Sequence, residues 1–306
     1  MKRIATILAS GILLSGCVST GKVEYPDQTQ VITGPKVKNT ATPYTSALIC
    51  TGQMSNVDKD VKVGVGKVPD LTGKFSESDG GYKLTQGAPM MVQNALGKVS
   101  GVQAVERIDT SVAEFERKLA SQKVIGDEEV HQIGNKKVNW RPVLSGSVLG
   151  SDYYITGAIT ELNYNIFSGG AEVAVDNGGP GVRHYVVSIG VDLRLVNTES
   201  LEVVDSVSMR KQVVGYETKL GIFRFFDQTL VDVNAGEKSQ EPIHLAVRSV
   251  IEAGTTQLVG TALKSNSVGC VEESEKLFYD EDMKFEMLNN PESMASELVS
   301  RLVSSR

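Results

Sequence analysis

Two stretches of two-residue alternation constrain this chain more than any other feature. Tyr185, Val187, Ile189, Val191, Leu193 and Leu195 alternate with His184, Val186, Ser188, Gly190, Asp192 and Arg194, and all but one of that second set are polar or glycine. Upstream, Leu162, Tyr164 and Ile166 alternate with Asn163, Asn165 and Phe167. Gly169-Gly170 and the run Asp176-Asn177-Gly178-Gly179-Pro180-Gly181 lie between them, a strong turn signal. Residues 162–195 therefore read as one long antiparallel hairpin. A second spans 207–233: Val214, Tyr216, Thr218, Leu220 and Ile222 alternate with Val213, Gly215, Glu217, Lys219 and Gly221, and the chain turns through Phe223-Arg224-Phe225-Phe226-Asp227.

Such alternation fits a soluble sandwich with one buried face. It fits equally a membrane barrel with its apolar face on lipid and a polar lumen. Two hairpins cannot close a barrel alone, since about eight strands are the minimum. The barrel reading thus requires several copies in a ring. Its lipid-facing set is Tyr185, Val187, Ile189, Val191, Val214, Tyr216, Leu220 and Ile222.

The first residues carry an address. Lys2 and Arg3 precede the apolar core Ile4 to Leu14, of signal-peptide length and too short to span a bilayer. Leu14-Ser15-Gly16-Cys17 resembles the lipobox of bacterial lipoproteins. That resemblance makes residues 1–16 a signal peptide and Cys17 the lipidated first residue of the mature chain. Residue 18 is Val rather than Asp, which by the rule for such lipoproteins favours the outer membrane. Nowhere is there an apolar run of about 18 residues, the length a transmembrane helix needs.

Cys50 and Cys270 remain after processing. In an oxidising periplasm the two can pair and staple the ends of the domain; two free thiols are the other reading. Cys50, Cys270, His131, His184 and His244 show no metal-ligand spacing, so no metal is expected.

Residues 17–45 are polar, with Pro26, Pro35 and Pro43, and read as a tether. Residues 46–161 read as a periplasmic α/β domain. Valines at alternate positions from Val61 to Val68 make a strand; the Gly64-Val65-Gly66-Lys67 inside it is no phosphate loop, because Val follows the lysine. Residues 69–88 form a long loop rich in Gly, Ser and Asp, a length usually functional. Pro89 opens a helix, Ala104 to Ile108 is a short strand, and Asp109 to Ser111 caps a helix presenting Val112, Phe115 and Leu119. Residues 121–142 read as irregular, and Tyr153 to Leu162 as a strand. Pro242 opens a helix within 234–264, packing through Ile243, Val247, Val250, Ile251, Gly254 and Leu258. Residues 265–306 read as a charged extension with one surface helix near Ala295 to Val303. The fold class is α+β: a periplasmic α/β domain with two long β-hairpins, which either bury one face as a sandwich or build an oligomeric transmembrane β-barrel.

The charge balance narrows function. With 31 basic and 37 acidic residues and a pI near 5.3, the chain lacks the basic stripe of a nucleic-acid binder. It has no Gly-x-Ser-x-Gly elbow and no His-Glu-x-x-His, so a periplasmic hydrolase is disfavoured and no enzyme is expected.

Several motifs, in order, resemble the curli secretion channel family. They are Asp70-Leu71-Thr72-Gly73-Lys74-Phe75, Leu193-Arg194-Leu195-Val196-Asn197-Thr198, Gly221-Ile222-Phe223-Arg224-Phe225-Phe226-Asp227, Glu241-Pro242 and the helix Ser249-Val250-Ile251-Glu252-Ala253-Gly254. The stretch Thr72 to Gly87 and Glu106-Arg107-Ile108-Asp109-Thr110-Ser111 also resemble the holdfast-anchor branch of that family. The resemblance implies a nine-subunit ring with a 36-strand barrel, each copy held by lipid on Cys17 and needing no other cofactor. It implies a non-enzymatic export channel through which unfolded amyloid or adhesin subunits diffuse, aided by a periplasmic capping or chaperone partner. The alternative is a ring that anchors an adhesin or holdfast. Within the family one loop per subunit forms a narrow collar, here residues 70–88. Phe75 matches a family Phe at the loop base, Tyr82 falls nearest the collar Phe, and Glu77 and Asp79 make the segment more acidic.

Overall fold

The longest strands of the chain run through both its globular part and its hairpins. In the computed structural model, residues 39–76, 81–167, 182–218, 223–226 and 241–304 are described. The chain divides into Met1–Asn39 and a compact unit, Thr40–Arg306; Cys17 lies outside the described residues.

In chain order the elements are α1 (Thr45–Gln53), β1 (Val61–Val65), β2 (Phe75–Ser76), β3 (Gly81–Tyr82), α2 (Ala88–Leu96), β4 (Val102–Val105), α3 (Ser111–Ser121), β5 (His131–Ile133), β6 (Lys136–Val138), β7 (Tyr153–Phe167), β8 (Val182–Asn197), β9 (Val203–Thr218), β10 (Phe223–Phe226), α4 (Glu241–Leu263), α5 (Ser267–Phe278), α6 (Glu281–Asn289) and α7 (Pro291–Ser304). One six-stranded mixed sheet has the order β10-β9-β8-β7-β1-β4. β1 pairs in parallel with β4 and β7; the other pairings are antiparallel.

One face of the sheet is covered by α4 and α2. Leu193, Val207 and Met209 approach α4 at Gly254, where a Cβ would sit 3.2–3.5 Å from their side chains. The glycine lets helix and sheet close, and Val247, Ile251 and Leu258 join Val63, Val65, Ile155, Ile159 and Leu195 in one core. No described helix covers the opposite face of β8 and β9. There Asp192, Arg194, Ser206, Ser208, Arg210 and Gln212 are exposed, as one solvated side of an antiparallel sheet allows.

A second cluster lies apart from the sheet. Ala47 and Cys50 of α1 pack with Cys270, Leu277 and Phe278 of α5, Met287 of α6, and Met294, Ala295 and Leu298 of α7. Cys50 and Cys270 are bonded, with Cα atoms 6.0 Å apart. The two clusters meet at Glu252 of α4, which is fully buried. Its carboxylate accepts from Lys98 Nζ at 2.7 Å and from the hydroxyls of Thr42 at 2.5 Å and Thr45 at 2.8 Å. Nearby, the Tyr44 hydroxyl donates to Glu275 Oε1 at 2.8 Å; burial first, and then this carboxylate, push the phenol well above its ordinary pKa.

Three expectations are corrected here, and one element was not foreseen: Cys50 lies within helix α1, ahead of the first strand. The stretch 121–142 is not all irregular: it holds the β5–β6 hairpin, turned at Gly134 with φ +59°. Val112 and Phe115 do not face a core, since α3 leaves both exposed. Residues 267–304 form three helices with their own apolar cluster, not a single surface helix.

Candidate functional site

The loop after β1 begins with two anchors. Leu71 N donates to Ile159 O at 2.9 Å, and Asp70 bridges to Ile159 in parallel, so the loop starts as a stub of strand beside β7. Asp70 Oδ1 then accepts from Thr72 N at 2.9 Å and from Thr72 Oγ1 at 2.6 Å, an Asx-type turn that redirects the chain. Gly73 follows with φ +65°, a conformation that favours glycine.

Beyond this turn β2 and β3 pair. Lys83 N donates to Lys74 O at 3.1 Å, Phe75 lies opposite Tyr82, and Ser76 opposite Gly81. The Phe75 and Tyr82 rings meet edge to face, with centroids 6.5 Å apart. Both remain exposed, at 60% and 66%. Lys83 Nζ lies 4.1 Å from the Tyr164 ring centroid on β7, a cation–π contact between the hairpin and the sheet. Leu84 is buried in the core and anchors the return. Glu77 and Asp79 lie outside the described residues.

The structure thus brings Phe75 and Tyr82 together on a projecting hairpin. Sequence reasoning placed both in the loop but missed their pairing and the brace from Lys83 to Tyr164. The available signal was the lone aromatic on each side of a Ser/Gly/Asp tip.

The eight residues expected to face lipid do not form one set. Val187, Ile189 and Val191 are buried in the core of a single copy, on the α4 side of the sheet. Directly paired residues of an antiparallel ladder share a face. Val187 pairs with Val213 and Tyr185 with Gly215, whereas Val214 pairs with Val186 and Tyr216 with His184. Positions 214 and 216 therefore belong to the opposite face from 185 and 187. The cause is a register shift: Val196 pairs with Val203 but Leu195 with Asp205, leaving Val204 as an extra residue. One extra residue exchanges the two faces of everything beyond it. Leu220 and Ile222 lie outside the described residues.

Asp127, Glu129 and His131 bring one potential metal-ligand atom each within 4.8 Å. Acidic neighbours at 127 and 129 supply this geometry, which the histidine and cysteine spacing did not reveal. Asp127 is already engaged: His131 Nε2 donates to its oxygens at 2.8 and 2.9 Å, and Arg141 Nε lies at 3.5 Å. The His131 hydrogen bond holds the Asp127 carboxyl below the ordinary carboxylate range. These contacts account for the cluster without an ion.

Comparison with known proteins fits the same residues. The family model described as "Curli production assembly/transport component CsgG" matches residues 45–284. HfaB of Caulobacter vibrioides, described as a candidate transcription activator protein, is 42% identical, covering 84% of this chain and 80% of that protein. The curli production assembly/transport component CsgG of Escherichia coli K12 is 27% identical, covering 84% of this chain and 87% of that protein. Among solved structures, hypothetical protein CT253 from Chlamydia trachomatis aligns at TM-score 0.32 and 9% identity, covering 67% of this chain and 97% of that one, a likeness too weak to carry an argument. The family model spans the sheet, the β2–β3 hairpin and α4, and the chain therefore belongs to the family of the curli production assembly/transport component CsgG.

Proposed function

We propose that copies of this chain join edge to edge into an outer-membrane ring whose hairpins close a β-barrel, and that the ring exports unfolded amyloid or adhesin subunits by passive diffusion. The observation that carries this reading is the pair of open edges on the outer part of the sheet. β1 pairs with β7 only from Tyr153 to Ile155, and the loop bridges it once more at Ile159. Beyond Ile159, β7 has no partner on that side among the described residues. Among the described residues β10 ends the sheet on the other side. An open edge is an aggregation hazard unless it is covered, and barrels abolish edges. β7, β8, β9 and β10 alternate in direction, so the β10 of one copy meets the next β7 antiparallel, as barrel closure requires.

β8 and β9 each hold 16 residues. A membrane-spanning strand needs about 9–11. Each strand is therefore long enough to root in the domain and still enter a bilayer. The lipid-facing surface is then the continuation of the α4 face beyond the Lys83–Tyr164 contact, at positions 166, 185, 223 and 225. The lumen continues the polar face, at positions 163, 184, 212 and 224. The β2–β3 hairpin projects inward as the collar, and lipid on Cys17 tethers each copy. Nine copies and a periplasmic capping or chaperone partner complete the picture. No step in this reading needs an enzyme.

Cysteines at Asn163 of β7 and Arg224 of β10 test the joined edges. They should cross-link copy to copy in outer membranes and give a ladder ending at the ring size. A protein purified from outer membranes as a monomer, with no ladder, refutes the ring. Mass spectrometry should find an acylated N-terminal Cys17, and Cys17→Ala should leave unprocessed precursor.

A second reading, an anchor for an adhesin or holdfast, is favoured by the loop sequence from Thr72 to Gly87, which resembles the holdfast-anchor branch. It uses the same ring. Deletion of the gene separates the two: export predicts that the surface subunit accumulates inside, anchoring that it is shed into the medium.

A further inference from the structure

At the root of the hairpins an ion pair reaches across a glycine. Glu161 of β7, Gly190 of β8 and Arg210 of β9 lie side by side in the ladder. Arg210 Nη2 sits 2.6 Å from Glu161 Oε1, so the pair spans the middle strand. Only glycine permits this. A Cβ on Gly190 would lie 2.9 Å from Glu161 Cβ and 3.1 and 3.2 Å from its Cγ and Cδ. A bulge on β7 between Ile159 and Glu161 sets Glu161 at this register. Among the described residues Glu161 Oε2 has no hydrogen-bond partner and almost no exposure, and Arg210 is the cation paired with that carboxylate. Beside the pair, Thr160 Oγ1 donates to Asp192 Oδ2.

This cluster lies on the sheet face that no described helix covers, one residue pair above the last anchor of β7 to the domain. The β8–β9 register is unbroken from Val182 to Leu195, so this face and the polar face of the hairpins are one surface. We infer that Glu161 and Arg210 form a charge-balanced belt at the barrel root that sets the pore's preference between positive and negative charge. The inference rests on the channel reading and names a selectivity determinant separate from the collar. Each copy adds one cation and one anion at the same height, so the belt is neutral and holds extended polypeptide segments of neither sign. Loss of one partner leaves a circle of like charges, and such rings select ions.

The test uses full-length protein from outer membranes in planar bilayers under a salt gradient. Total salt is kept low, because the pair is partly exposed and screening weakens it. Arg210→Gln should shift the reversal potential toward cation preference, and Glu161→Gln toward anion preference. The double variant should return to the parental value. Arg301→Gln, which removes a surface pair with Glu297 on α7, should change nothing. Conducting single variants with the parental reversal potential overturn the belt while leaving the channel intact. A parental protein that forms no channel overturns the channel reading and the belt with it.

Discussion

Phe75 and Tyr82 stand opposite each other at the base of a short hairpin, ring edge to ring face, with more than half of each side chain exposed. In the proposed ring, every copy would point this exposed pair at one axis. The hairpin is held at three points: the bridge from Asp70 to Ile159, the Lys83–Tyr164 contact, and the burial of Leu84. A collar built on this hairpin would, in the proposed ring, have a fixed radius, because its base is tied to β7.

Truncating the pair should therefore widen the pore. Tyr82→Ala should raise single-channel conductance in planar bilayers, and Phe75→Ala should add to it. Deleting Ser76 to Gly81 should raise it further. Conductance unchanged in all three variants would reject the collar assignment without touching the barrel.

The disulfide predicts a stability effect confined to one region. Cys50 and Cys270 are 220 residues apart and join α1 to α5 inside the second cluster. Loss of a native disulfide typically costs about 2–5 kcal/mol. The Cys50→Ser/Cys270→Ser variant should melt earlier than the parent. Hydrogen exchange should quicken in α1, α5 and α7 before it does in β8 and β9. Uniform acceleration across the sheet would contradict the division into two clusters.

Much of this layout was legible because alternation and turn signals are local. The hairpin 162–195 was readable from its two faces and its glycine-rich turn. Its facing relation to β9 was not, because the single extra residue Val204 exchanges the faces and carries no sequence mark. The α1 helix was hidden by its composition: Thr45, Ile49, Thr51 and Gly52 are weak helix formers, and the helix is held by α5, α7 and the disulfide rather than by propensity. The same tertiary dependence hid α5 to α7. Their buried set only makes sense once α1 lies against them. At the candidate site, Phe75 and Tyr82 were recognisable as loop aromatics. Their pairing needed the turn at Asp70 and Thr72, which side-chain hydrogen bonds fix.

Glu252 ties the two clusters and should be intolerant of truncation. Its carboxylate is fully buried against Lys98, Thr42 and Thr45. Removing one partner of a buried ion pair costs about 3–5 kcal/mol. Glu252→Ala should approach that loss in denaturant melts, with the N-terminal segment around Thr42 released first. Glu252→Gln keeps an acceptor for the two hydroxyls and should cost less. Equal losses in the two variants would mean that the hydroxyl bonds contribute nothing measurable.

The β5–β6 hairpin should loosen in acid. Asp127 accepts from His131, and that bond keeps its carboxyl below the usual range, with Arg141 also at hand. A carboxylate whose pKa is depressed on folding stabilises the fold above its unfolded pKa, about 3.9 for Asp, and loses that contribution as pH falls through the folded value. The window therefore begins near pH 4 and extends downward. Amide exchange in residues 127–141, corrected for intrinsic rate, should gain in relative speed across that window while the sheet core stays protected. Asp127→Asn cannot titrate, so its hairpin should show the faster exchange at neutral pH and no further change in acid. A hairpin whose acid response survives in Asp127→Asn would assign the effect to another group, with Glu116, the other carboxylate beside Arg141, the first to examine.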